Sequence, residues 1–164
     1  MSAEARCMVT CARAPPQVGG TPAVMYELLR HFPEGSVVLV TKHQTGRTSA
    51  DDRVLHVPTV RVARLGASVY PTLFQLLLMP LTFLEMLRAA RGARPTVVLA
   101  VFPSLDFLVC SLAIGGVMGA PVHVYLHDCI VETAGNRAER SLSRMAERCA
   151  FSRAKKVYSM SEPM

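Results

Sequence analysis

The sequence predicts an α/β fold: a doubly wound parallel sheet with helices on both faces, in a single domain. Three observations lead there. Short apolar runs alternate with longer segments whose apolar residues recur at helical spacing. The cores of Ser36–Thr41 and Thr96–Phe102 are continuously apolar, as in parallel strands buried on both faces. Turn residues (Pro15-Pro16, Pro33-Glu34-Gly35, Arg94-Pro95, Gly119-Ala120-Pro121) punctuate the junctions. Strand–helix alternation of this kind closes by right-handed crossovers into one parallel sheet. A length of 164 residues suits one domain with a full core, and 51% apolar against 18% charged residues excludes a disordered chain.

Taken in order, Cys7–Ala12 is a first buried strand ahead of the proline pair. Thr21 is a suitable N-cap and Pro22 a suitable first helical residue, and Val24, Met25, Leu28, Leu29 and Phe32 define a helix over Thr21–Phe32. Ser36–Thr41 is the second strand, and Lys42–Arg53 reads as loop. Val54–Val57 and Thr59–Ala63 are alternative third strands around Pro58. Val69–Leu87 has nearly the length of a membrane span and Glu85 as its one charge. Its two readings are a kinked core or interfacial helix and a segment deeper in lipid; Pro71, Pro80, Gln75 and the flanking Arg88, Arg91 and Arg94 favour the first. Thr96–Phe102 is the clearest strand. Ser104 caps a helix running to about Met118, with Asp106 near its positive end. Gly115 and Gly116 allow that helix to lie close to the sheet, or else end it early. Val122–Leu126 is a further strand. Arg137–Phe151 is an amphipathic helix with an apolar stripe of Ala138, Leu142, Met145 and Cys149 beside a basic stripe of Arg137, Arg140, Arg144 and Arg148. Lys156–Ser159 is a last short strand.

The net charge of +6 and pI near 9.4 point to an anionic partner: nucleic acid, acidic lipid or a phosphorylated substrate. Only 6% aromatic residues and no Trp argue against base stacking, and so against nucleic acid. The five cysteines (Cys7, Cys11, Cys110, Cys129, Cys149) include no C-x-x-C pair and sit mostly in apolar runs; they read as buried reduced thiols, and their scatter disfavours a metal site. The polar start of the chain lacks the pattern of a secretory signal, making the cytoplasm the expected compartment.

Two stretches carry chemistry. In Pro121–Asp128 (Pro-Val-His-Val-Tyr-Leu-His-Asp) a buried strand ends on His127 and Asp128, at the edge where parallel sheets bind ligands. His127 is either a group titrating near neutrality at that edge or a loop histidine whose neighbour Asp128 caps a turn. His123, within the same strand, is assigned to the core by alternation. In Gln17–Pro22 (Gln-Val-Gly-Gly-Thr-Pro) a tight loop opens a helix. Gly19-Gly20 is no Walker loop, because no Gly-Lys-Ser/Thr follows, and it lacks the G-x-G-x-x-G dinucleotide pattern. The arginine stripe is either a solvated face or a dock for anionic lipid headgroups or an acidic acceptor.

The chain resembles the N-terminal half of a family 4 glycosyltransferase of the GT-B fold, which is Rossmann-like. Gly19-Gly20-Thr21 followed by Tyr26-Glu27-Leu28-Leu29, Thr96–Ala100, Tyr125-Leu126-His127-Asp128, and Ala154–Glu162 carry the resemblance. It implies transfer of a sugar, with retention, from a nucleotide-sugar donor to a glycan or lipid acceptor, with no metal or other cofactor. It also implies a cleft between an acceptor-side domain and a donor-binding C-terminal domain. Gly19, Gly20, Thr21 and Asp128 would contact substrate, and His127 would be catalytic, polarising the reacting centre. The sequence ends where the donor domain is expected, so the chain would be inactive alone and would act with a donor-binding domain or subunit, in the cytoplasm and in part at an anionic membrane surface. The alternative is a non-catalytic binding or membrane-docking subunit that presents an acceptor to a partner chain.

Overall fold

The structure is a computed structural model that describes residues 6–12, 20–42, 59–62, 71–101, 104–126 and 137–159. Its strands are β1 (Cys7–Cys11), β2 (Val37–Lys42), β3 (Thr59–Val62), β4 (Val97–Val101), β5 (Val122–Leu126) and β6 (Lys156–Ser159). They form one sheet of order β3-β2-β1-β4-β5-β6 in which every neighbouring pair is parallel. The described helices are α1 (Gly20–Leu29), α2 (Pro71–Ala93), α3 (Leu105–Met118) and α4 (Arg137–Arg153). The expected fold class is the one observed.

β1 is the centre of the sheet. Cys7 and Met8 pair with Val37 and Val38 on one side and with Val97 and Val98 on the other, and all five residues of β1 are buried. Alternation then splits the core in two. Val9, Cys11 and Leu39 point toward Met25 and Leu29 of α1. Met8, Val40, Val98, Ala100 and Val124 point to the other face, where Met86 and Ala90 of α2, Phe107, Leu108 and Ile114 of α3 and Ala150 of α4 cover them. The chain moves outward from β1 to β2 under α1, and from β4 to β6 under α3 and α4 on the opposite face, as one crossover hand requires.

Polar groups in this core are partnered. Ser111 donates to the Phe107 carbonyl at 2.6 Å, and its oxygen lies 2.7 Å from the Thr10 hydroxyl, tying α3 to β1. At the end of α3, Gly119 adopts φ 65° and its N–H reaches the Gly116 carbonyl, while Ala120 N–H reaches the Gly115 carbonyl at 2.9 Å. This is the Schellman pattern, and it turns the chain directly into β5.

Several boundaries differ from those expected. α1 starts at Gly20, so Thr21 lies in the first turn instead of capping it. Lys42 closes β2 instead of opening a loop. The third strand is Thr59–Val62; Val54–Val57 lies outside the described residues. The segment expected at Val69–Leu87 is a helix extending to Ala93, with Pro80 inside it. Among the described residues no helix is long and apolar enough to cross a membrane. In α4 Ser143 and Ala150, seven residues apart on one face, are buried, which leaves Met145, two residues on from Ser143, on the opposite side and 65% exposed. His123 is half-buried and not in the core: it faces the α1 side of the sheet, where its ring lies 5.9 Å from that of the exposed Tyr158, with Nδ1 3.3 Å from the phenol oxygen. The buried cluster on that face takes in Tyr125 of the same strand but not His123.

Cys7, Cys11 and Cys110 are buried and Cys149 is half-buried. Burial pushes the Cys7 thiol up to about 11, against a backbone hydrogen bond that lowers it. It pushes Cys110 up to about 12, with the Asp106 carboxylate adding to the effect and Lys42 opposing it. An unfolded thiol ionises near 9.0, so both groups favour the folded state fully below that pH. That contribution is lost as pH climbs from about 9 through about 11 for Cys7 and about 12 for Cys110. The urea midpoint is expected to fall across this window, and to fall less steeply in a Cys7→Ala/Cys110→Ala variant.

Candidate functional site

All the strands run the same way, so the ends of β1, β2, β4 and β5 share one edge of the sheet. β1 and β4 are neighbours whose connections leave in opposite directions, over opposite faces. A crevice forms outside the carboxyl ends of the strands at such a switch point, and open α/β sheets bind ligands there. The chain leaving β1 returns as α1 at Gly20, and the chain leaving β4 enters α3 at Leu105. Gly20 and the half-buried Thr21 therefore stand at this edge, next to the switch point. β5 delivers its last described residue, Leu126, to the same edge. Gly19, His127 and Asp128 lie outside the described residues.

The two helix N-termini at the switch point differ in charge. α3 carries Asp106 in its first turn. Lys42, at the end of β2, reaches across to it: Nζ lies 2.7 Å from Oδ2 and 2.9 Å from Oδ1 of Asp106, and 3.1 Å from the Ser104 hydroxyl. Ser104 in turn donates to Asp106 Oδ1. The Lys42 ammonium also sits 5.3 Å from the centre of the Phe107 ring. The side chains of Lys42 and Asp106 are 18% and 5% exposed, so this is a nearly closed ion pair. Ser104 occupies the N-cap position as the sequence predicts, but its hydroxyl serves this cluster and caps no backbone N–H. α1, by contrast, has no acidic residue in its first turn. Its N–H groups and positive dipole end are not offset by a carboxylate of its own first turn, which suits an anion.

Sequence reasoning missed the Lys42–Ser104–Asp106 cluster. The available signal was a lysine closing one inner strand and a Ser-x-Asp opening the helix after another. Among the described residues, no group of three or more His, Cys, Asp or Glu residues is placed to hold a metal ion.

The fold and this edge define a class: a parallel α/β domain with a ligand edge at the β1–β4 switch point. The chain belongs to the glycosyl transferase 4-like domain family, whose model matches residues 19–164. The resemblance seen in the sequence is thereby borne out. Among solved structures, the crystal structure of Anabaena HepE in complex with UDP is similar in fold, with a TM-score of 0.55 at 15% identity. The match covers 94% of this chain and 43% of that one, so the chain spans less than half the length of this relative. Among curated proteins, none matches the chain in sequence.

Proposed function

We propose that the chain is the acceptor-side domain of a retaining glycosyltransferase, which moves a sugar from a nucleotide-sugar donor to a glycan or lipid acceptor in the cytoplasm. The observation that carries this reading is the N-terminus of α1, free of first-turn acids, at the switch point of a glycosyltransferase-family sheet. Gly19 and Gly20 lack side chains, so a donor diphosphate or transferring sugar can approach the backbone closely. The first N–H groups of α1, with Thr21 beside them, then face the anion. His127 and Asp128 follow Leu126, the last residue of β5, in the sequence. His127 acts on the reacting sugar by polarising it, and Asp128 contributes a polar contact. Catalysis on this side is positioning and electrostatic stabilisation of an oxocarbenium-like state and a leaving diphosphate. A donor-binding domain or subunit completes the site, in keeping with the 43% share of HepE that this chain matches; HepE itself was crystallised with UDP.

Calorimetry of nucleotide-sugar binding, with and without a donor domain supplied, tests the proposal. No binding by the chain alone and turnover on reconstitution is the expected result; tight nucleotide binding by this chain alone would overturn it. Within the completed enzyme, His127→Ala is expected to lower turnover strongly with little change in the thermal midpoint. Wild-type turnover in that variant removes His127 from the mechanism.

A further inference from the structure

Two helices begin beside the switch point. α1 follows β1 and α3 follows β4, so both first turns stand at the carboxyl edge, on opposite faces of the sheet. The first backbone bond of α3 runs from the Leu108 N–H to the Ser104 carbonyl at 3.0 Å, which leaves the N–H groups of Leu105, Asp106 and Phe107 ahead of the helical ladder. The Ser104 side chain, in the N-cap position, caps none of them. By its backbone alone α3 would attract an anion as α1 does. Its side chains reverse this. Asp106 places a carboxylate in that first turn, and the contacts of Lys42 with Asp106 Oδ2, Asp106 Oδ1 and the Ser104 hydroxyl match the three donors of an ammonium. Ser104 gives its own proton to Asp106 Oδ1. Burying an ion pair adds little stability over apolar residues of the same size, so stability alone does not account for this cluster at a ligand edge.

We infer that Asp106 is a specificity-determining residue of this edge: held by Lys42 and Ser104, it bars anions from the N-terminus of α3 and so leaves α1 as the end that takes a ligand's diphosphate. The inference deepens the glycosyltransferase reading and rests on it for the class of ligand. An incoming diphosphate meets a carboxylate in the first turn of α3 and none in the first turn of α1. Lys42 balances the charge of Asp106 for folding, but its donors are spent within the cluster, so it offers an anion no hydrogen bond. The pair is nearly closed to water, so salt screens its carboxylate weakly and the exclusion persists at physiological ionic strength. Without this carboxylate a diphosphate would have two helix ends to choose between. Seated at α3, it would lie across the sheet from Gly20 and carry its sugar away from the glycine loop. Asp106 removes that choice. Its own contacts are with Lys42 and Ser104, so it works by position and charge and not by touching the reacting atoms.

Titration of the isotope-labelled 164-residue chain with inorganic pyrophosphate, followed by the amide resonances of residues 105–107, tests this. In the wild type these amides are expected to stay still. In Asp106→Asn the carboxylate is gone and Lys42 is released, so the same amides should move saturably, with pyrophosphate bound at α3 on the order of fivefold or more tighter than in the wild type. Asp106→Ser removes the same charge and serves as the second variant should the amide disturb α3. Adding Lys42→Met to either should weaken the acquired binding, because the released cation is lost. Glu34→Gln adds the same unit of charge at an exposed turn before β2, on the opposite edge, and should leave residues 105–107 unmoved. Thermal unfolding certifies that each variant is folded. Saturable movement of these amides in the wild type overturns the inference. Silence in both neutral variants also overturns it and reduces the cluster to a structural ion pair. The Gly20 and Thr21 amides in the same spectra test the reading of α1 by themselves, so a failure there is told apart from a failure at α3.

Discussion

Lys42→Met is expected to lower folding stability by about 3 kcal/mol, the lower end of the range for breaking a buried ion pair. The Asp106 carboxyl is 5% exposed and keeps the Ser104 hydroxyl and the positive end of α3, but it loses the Lys42 ammonium that faces it. The residual charge cannot reach bulk water, so its desolvation is no longer offset. Urea denaturation at neutral pH measures the loss. Adding Asp106→Asn in the Lys42→Met background removes the orphaned charge and should recover most of it, because Ser104 can still hydrogen-bond the amide. If Lys42→Met alone is neutral, or if the second substitution makes matters worse, the pair does not anchor α3. Asp106→Asn with Lys42 intact should be milder, since Lys42 is the more exposed partner and can swing toward solvent.

Gly115→Ala is the second large effect. A Cβ at this position would meet Val122 Cγ2 at 2.1 Å and the Ala120 carbonyl oxygen at 2.9 Å. The Ala120 oxygen is backbone, held by the Schellman turn that Ala120 N–H makes with Gly115 itself. Neither neighbour can yield without moving the start of β5. Overpacking of this kind typically costs 1–3 kcal/mol, which must first outweigh the roughly 1 kcal/mol that alanine gains over glycine inside a helix. Contacts this close place the cost in the upper part of that range, so a net loss of about 1–2 kcal/mol is expected. Gly116→Ala is the matched control: nothing lies within 4 Å of its Cβ, so the helix-propensity gain of up to about 1 kcal/mol should appear alone. Opposite shifts in thermal midpoint for adjacent glycines are the result to look for. Two shifts of the same sign would mean that α3 does not press on β5 as described.

The sequence made the strand and helix order legible because burial in a parallel sheet writes itself locally, as in Val-Val-Leu-Val of β2 and Val-Val-Leu-Ala-Val of β4. Gly115 was legible too, as a small residue in a helix that must lie close to its sheet; Gly116, its open neighbour, shows that the dipeptide had one such role and not two. What local pattern could not reveal depends on contacts distant in sequence. Lys42 reads as the start of a polar loop because its partner, Asp106, is 64 residues away. His123 alternates like a core residue, yet it sits beside the exposed Tyr158 of the edge strand β6. Met145 belongs to an apolar stripe by periodicity, but Ser143 and Ala150 are buried and Met145, about 200° round the helix from Ser143, faces out. At the candidate site, the position of Gly20 and Thr21 follows from topology, whereas the charge asymmetry between α1 and α3 required knowing which helices meet there.

The central place of β1 has a consequence for how the chain reaches this structure. The first strand made is bonded on one side to β2, close by, and on the other to β4; its Thr10 hydroxyl meets that of Ser111 across 101 residues of sequence. Closing so long a loop costs chain entropy before any of the central contacts can repay it, which slows folding and raises contact order. During synthesis, β1, β2 and α1 can associate early, but one side of β1 stays an open hydrogen-bonding edge until β4 has emerged. Chains released before that point would carry an apolar, unpaired edge of the kind that recruits other strands, so the folding yield of this domain should depend most on how soon β4 arrives.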